Sequence, residues 1–133
     1  MKLFELDLSK LTLGGVFYPT GHVLLMLPNR GLADQAARLL VEAGVAGDKM
    51  SLLPPETVQG PIARTASGAD IPFPSPGAEA EMVRQMARLA GQGHWGLLVH
   101  APRTADADKV MLAVRELPVA MAERYRHLVI EDM

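Results

Sequence analysis

The feature of this sequence that most constrains its fold is a repeat with a spacing of 74 residues. Identities recur at that spacing, among them Leu24 with Leu98, Pro28 with Pro102, Ala33 with Ala107, Asp34 with Asp108, Glu42 with Glu116 and Val45 with Val119. Apolar positions between them coincide as well. In each copy an apolar strand precedes a helix with an apolar stripe, so the repeat predicts a duplicated strand–helix unit.

Length and composition predict one soluble domain. The chain has 133 residues, and a hydrophobic content of 49 % lies above the range of disordered chains. It contains no cysteine, which excludes disulfides and fits a reducing cytosol. Acidic residues interrupt the N-terminus where a signal peptide is apolar, and no apolar run reaches the roughly 20 residues of a membrane span. We therefore expect a cytoplasmic location and no membrane partner.

The single domain, residues 1–133, divides into segments. Residues 1–21 are an N-terminal extension, interpreted as an extra edge element that caps the sheet or reaches a neighbouring subunit. Residues 22–53 form the first half, with a helix from about Leu32 to Ala43 between two strands. This half therefore reads as one strand–helix–strand unit.

The middle of the chain differs in composition. Residues 54–77 contain six of the ten prolines, and because proline lacks the amide that a ladder or helix needs, we expect a loop here. Ser75 followed by Pro76 is typical of a helix start. An inserted helix is predicted at residues 78–90.

The second half, residues 95–130, repeats the first, with a strand at 95–100, a helix capped by Thr104 and a final strand at 126–130. Two such units interleave most readily as a four-stranded antiparallel sheet with helices on one face. The predicted fold class is α+β, a ferredoxin-like split βαβ repeat with the Pro-rich loop and the extra helix between its halves. The open sheet face would expose apolar side chains, so we expect a homodimer contact there.

The first half also carries a family resemblance in its small residues and short runs: Ala33, Ala36, Ala37, Ala43-Gly44-Val45, Asp48 and Ser51-Leu52-Leu53. This pattern resembles small bacterial general-stress proteins of the heat-induced type, and a set of short, uncharacterised proteobacterial proteins. The resemblance supports the ferredoxin-like fold and implies an association with stress. It carries over no active site, and the Pro-rich insert departs from it.

Four side chains are candidate ligand-binding residues: His22, His100, Tyr18 and Trp95. If the repeated strands pair antiparallel, His22 at the start of one lies near His100 at the end of the other. Two imidazoles fall short of the three or four ligands of a metal site, so no metal is predicted. Tyr18 and Trp95 would line a small-molecule cleft, although a lone tryptophan at a strand start more often packs in a core or interface.

The remaining patterns argue against a cofactor and against nucleic acid. Residues 91–96 spell GxGxxG, but they follow a helix and open a strand, the reverse of a dinucleotide fingerprint. A net charge of −2 provides no electrostatic footprint for a phosphate backbone, and the strands lack paired aromatic residues. We therefore predict no cofactor and disfavour RNA as a partner.

Since no catalytic motif is recognised, we predict a non-catalytic regulatory or stress-associated homodimer. The alternative is a small-molecule-binding protein or enzyme of the dimeric α+β barrel type, with His22 or His100 at its site. RNA binding is the third hypothesis. The residues do not identify a ligand or a pathway.

Overall fold

The computed structural model describes residues 2–3, 12–13, 16–66, 78–126 and 129–133 of an α+β protein. Its strands are β1 (Lys2–Leu3), β2 (Thr12–Leu13), β3 (Val16–Phe17), β4 (His22–Leu27), β5 (Met50–Leu53), β6 (Trp95–His100), β7 (Met121–Arg126) and β8 (Val129–Asp132). Its helical segments are α1 (Arg30–Glu42), α2 (Pro55–Thr57), a π-helical turn (Val58–Ile62), α3 (Ala63–Ala66), α4 (Ala78–Ala90) and α5 (Thr104–Ala113). Within these ranges no helix has the length and hydrophobicity needed to cross a membrane.

Five strands form an open antiparallel sheet in the order β5–β6–β4–β7–β8, and the short β1 pairs in parallel with β5 at one edge. The repeated strands β4 and β6 are neighbours in the middle of this sheet. Leu24 lies opposite Leu98, and His22 lies opposite His100. The pairing confirms the prediction that both copies of the repeat contribute to one sheet.

The strand count and the C-terminal strand differ from the prediction of four strands ending at 126–130. The chain instead forms a hairpin of β7 and β8, in which Tyr125 lies opposite Ile130. β7 was missed because its sequence, Met-Ala-Glu-Arg-Tyr-Arg, is as charged as an exposed segment. Pairing with β4 on one side and β8 on the other buries it nonetheless, and Glu123 and Arg124 are each 6 % exposed.

One face of the sheet packs against α1 and α5. The Asn29 side chain caps α1 by accepting a hydrogen bond from the Leu32 amide at 2.9 Å. The buried stripe of α1 is mostly alanine, which lets the helix lie close to the sheet. The core on this face is built from aliphatic residues of both halves: Val23, Leu25, Leu27, Ala33, Ala36, Ala37, Leu40, Leu97, Val99, Ala107, Val110 and Val114.

The predicted cap of α5 is wrong. Thr104 is the first residue of the helix, and Arg103 occupies the cap position without a side-chain cap. The Thr104 Oγ1 atom instead accepts a hydrogen bond from Arg124 Nη1 at 3.1 Å. The hydroxyl is therefore used to hold a buried arginine of β7.

The opposite face of the sheet is covered by β3, the helical segment at 55–66 and α4. Phe17, Ile62 and Met86, one from each of these elements, are fully buried in the same cluster as Leu24 and Met26 of β4. The prediction of helices on one face only is therefore wrong. In the part of the chain that is described, neither sheet face is bare.

The predicted loop at 54–77 is wrong for residues 55–66, which are helical. Pro55 does not prevent this because it stands at the first helical position, where its missing amide is not needed. Pro61 lies in the π-helical turn between two buried residues, Val58 and Ile62. Residues 67–77 lie outside the described ranges.

Covering this face has a functional consequence. A homodimer contact through an open sheet face, and the sheet-on-sheet packing of a dimeric α+β barrel, both need a surface that the described residues occupy themselves. The homodimer contact that we expected at an open sheet face therefore has no bare face to form on within the described residues.

Candidate functional site

The histidine pair, His22 and His100, lies together at one end of the sheet. The ring centroids are 5.0 Å apart with the rings edge to face, and His22 Nδ1 lies 3.0 Å from the Thr20 carbonyl oxygen. Burial lowers the pKa of His22, the Thr20 hydrogen bond opposes this, and the charge of a protonated His100 lowers it further. His22 is thus held in its neutral form, beside an exposed His100.

Gly21 fixes the backbone beside this pair. Its φ of +80° is a left-handed conformation that favours glycine. Its amide donates to the Tyr125 carbonyl at 2.8 Å, and its carbonyl accepts from the Ala101 amide at 2.9 Å. One residue therefore ties the start of β4 to the strands on both sides.

The other two predicted residues do not join the histidines in one cleft. Tyr18 is buried, its ring packs edge-on against Tyr125 with centroids 5.1 Å apart, and its hydroxyl donates to the Arg126 carbonyl at 2.6 Å. Trp95 lies at the far end of β6, opposite Leu27, with the Arg30 guanidinium 5.3 Å from its ring. The four side chains predicted as one site are therefore distributed over both ends of the sheet.

A second cluster, which sequence reasoning missed, is the carboxyl pair of Glu123 and Asp132. These residues lie opposite each other in β7 and β8. Burial, then the charge of Asp132 and a hydrogen bond to it, raise the pKa of Glu123 to about 7. Glu123 is therefore protonated below about that pH and negatively charged above it.

The carboxyl pair lies in a groove of about 410 Å³. Met82 and Gln85 of α4 form one wall, and Ile130 of β8 lies on the other. The floor is thus acidic and the walls are mainly apolar. Burial of this kind is the reason that the charged form of Glu123 is disfavoured.

The nearby arginines are used on the other face of the sheet. Arg124 donates to Glu131 at 3.4 Å and to the Pro102 carbonyl at 3.5 Å, and Arg126 donates to Glu131 at 3.0 Å. Side chains of successive residues in a strand point to opposite faces, so these cations are separated from Glu123 by the sheet. In the described ranges neither member of the carboxyl pair has an ion pair with a basic residue.

Tyr125 lies between the two clusters, opposite His22 and two residues after Glu123. It is fully buried, and its hydroxyl has no hydrogen-bond partner among the described residues. Burial, then the charge of Glu123 and of Tyr18, raise the pKa of Tyr125. The hydroxyl therefore stays protonated and contributes an unsatisfied buried polar atom.

One signal in the sequence points to the missed cluster. Met121, Glu123 and Tyr125 alternate with Ala122 and Arg124, the period of a strand. The charges concealed it, because a segment with three charged residues in six is typical of a solvated surface. Only the pairing with β4 and β8 shows that Glu123 and Arg124 lie inside.

The groups present can bind, orient or exchange a proton. Among the described residues, no three histidine, aspartate or glutamate side chains come together in a way that would hold a metal ion. Comparisons with protein-family models, with curated proteins and with solved structures gave no match.

Proposed function

We propose that this protein is a non-catalytic regulatory module, associated with stress, whose C-terminal hairpin responds to pH near neutrality. The single observation that carries the proposal is the carboxyl pair: Glu123 is 6 % exposed and lies opposite Asp132, with no basic partner in the described ranges. Such a pair has a proton-dependent interaction energy. A pH change that accompanies stress is therefore converted into a change of packing.

The response is expected at β8 for a mechanical reason. β8 has four residues and pairs only with β7 among the described strands, so few hydrogen bonds hold it. Below the pKa of about 7 one carboxyl group donates to the other across the two strands. Above it the two charges repel, and the edge strand loosens first because edge elements open at the lowest cost.

The proposal includes a homodimer, with its contact moved from the sheet face to the β8 edge. An edge strand presents unpaired backbone groups to another chain, and Val129 on this strand is 49 % exposed. The order of the central strands, β5–β6–β4–β7, supports the finer proposal of a ferredoxin-like arrangement. The resemblance of residues 33–53 to heat-induced stress proteins supports the association with stress.

Light scattering across pH tests the proposal. We expect a dimer at about pH 6 and dissociation towards about pH 8.5, either side of the pKa of Glu123. Glu123→Gln retains a hydrogen-bonding side chain without the second charge, so its dimer should persist at the higher pH. The matched control, Glu116→Gln, changes an exposed glutamate and should behave as the wild type. A monomer at all pH values, at protein concentrations up to hundreds of micromolar, contradicts the proposal.

A further inference from the structure

A small cavity opens beside His100, on the side of the sheet where α1 and α5 pack. Its volume is about 190 Å³, and it lies between the chain at 44–46, Lys49, the end of β6 and the first turns of α5. Both halves of the repeat thus contribute to it. We propose that this cavity binds a phosphoryl group through Lys49 and Lys109.

The charge around the cavity favours an anionic ligand. Lys49 and Lys109 are two of the chain's four lysines, and neither has an ion pair within the described ranges. The lining also includes one carboxylate, Asp106, but Arg103 neutralises it with hydrogen bonds of 3.0 and 3.2 Å. The charge that remains around the cavity is positive, which favours the binding of an anion.

Several of the backbone amides around the cavity are already hydrogen-bonded within the fold. The Val45 amide donates to the Leu40 carbonyl at 2.9 Å and the Lys49 amide to the Ala46 carbonyl at 3.0 Å. At the end of β6, the Ala101 amide donates to the Gly21 carbonyl at 2.9 Å. With these amides used, binding depends mainly on the two lysines, which makes it sensitive to their substitution.

The size of the cavity selects the class of anion. Sites for drug-sized ligands occupy roughly 300–1,000 Å³, and a cavity of about 190 Å³ is smaller than these. It suits a compact tetrahedral oxyanion, and a phosphoryl group with nearly two charges at neutral pH matches two ammonium groups. Lysine binds phosphate as a point charge. The rest of a phosphorylated molecule would remain outside, towards His100, which is exposed.

The site does not depend on the carboxyl pair, because that pair lies on the other face of the sheet. Failure of either proposal therefore leaves the other standing. Calorimetric titration of the whole chain with inorganic phosphate, at constant ionic strength set with sodium chloride, tests this one. We expect saturable binding of about one phosphate per chain.

Variants assign the binding to the cavity. Lys49→Met with Lys109→Met should weaken phosphate binding by at least about tenfold, the loss of two charge-assisted contacts. The matched control is Arg84→Met with Arg88→Met, which removes the same charge from the exposed side of α4 and should stay within about twofold of the wild type. Asp106→Asn removes a negative charge from the lining and should tighten phosphate binding severalfold. This variant provides an independent test if the lysine variant folds poorly. Circular dichroism checks that each variant folds.

Further titrations identify the source of the phosphoryl group. Binding of glycerol 3-phosphate at least as tight as that of phosphate indicates a phosphorylated small molecule, and weaker binding indicates free phosphate. The proposal is overturned if neither binds, if the lysine and arginine variants lose affinity equally, or if succinate at the same concentration binds more tightly than phosphate.

Discussion

Glu123 and Asp132 face each other across the last two strands of the sheet, and the two arginines of β7, Arg124 and Arg126, are bound to Glu131 on the opposite face. When two adjacent carboxyl groups have no cation between them, ionising both has a high electrostatic free energy. The hairpin therefore has a proton-dependent stability that its sequence, read as a charged surface segment, does not suggest.

The first prediction concerns the pH dependence of folding. Because the pKa of Glu123 is raised in the folded state, from an ordinary 4.5 to about 7, the folded chain binds more protons than the unfolded chain between those values. Stability therefore falls as pH rises through this window. Glu123→Gln should remove this dependence and raise the free energy of unfolding at about pH 8 by about 1–2 kcal/mol.

Urea denaturation at several pH values measures this effect. Glu116→Gln is again the control, since Glu116 is exposed. If the difference between wild type and Glu123→Gln is the same at pH 5 and at pH 8, the carboxyl pair does not titrate in this range and the explanation is wrong.

The second prediction compares a tyrosine-to-phenylalanine substitution at two buried positions, Tyr125 and Tyr18. Tyr125→Phe removes a buried hydroxyl that lacks a partner in the described ranges, so it should leave stability unchanged or raise it by about 1 kcal/mol. Tyr18→Phe removes the 2.6 Å hydrogen bond to the Arg126 carbonyl and should lower stability by about 1 kcal/mol. Thermal unfolding of both variants checks the opposite signs. Equal destabilisation would mean that the Tyr125 hydroxyl is satisfied after all.

The sequence predicts the elements whose burial follows a simple period. The strands at 22–27 and 95–100 and their pairing have the bounds that apolar spacing indicates, and the inserted helix is present and ends at Ala90 as predicted. It fails where burial depends on distant partners. No local pattern shows that Val58 and Ile62 pack against the sheet. This packing stabilises helical structure in a proline-rich segment. Likewise Glu123 looks solvated until β8 is known to pair beside it.

The third prediction concerns Gly96, in the middle of β6. A Cβ atom there would lie 3.0 Å from Leu53 Cβ and 3.2 Å from Met26 Sδ, which are buried neighbours in the core. Gly96→Ala should therefore destabilise the fold by about 1–3 kcal/mol through overpacking. The control is Gly31→Ala in the exposed first turn of α1, where the nearest atom is 3.4 Å away, and a gain of about 0.5 kcal/mol is expected. Chemical denaturation measures both; a neutral Gly96→Ala would show that β5 shifts to accommodate the methyl group.

The last prediction concerns the histidine pair. The pKa of His22 is lowered, mainly by burial, so the unfolded chain takes up a proton there before the folded chain does. Stability from this site is therefore complete above the ordinary pKa of 6.5 and is lost as pH falls towards the folded value. His100→Gln removes the neighbouring charge, 5.0 Å away between ring centroids, and should raise the pKa of His22 without restoring the ordinary value, because burial remains the larger cause. Nuclear magnetic resonance of the imidazole protons follows this titration directly. A His22 midpoint at or above the ordinary value in the wild type would show that the ring is solvated, and a midpoint unchanged in the variant would show that the two rings do not interact through charge.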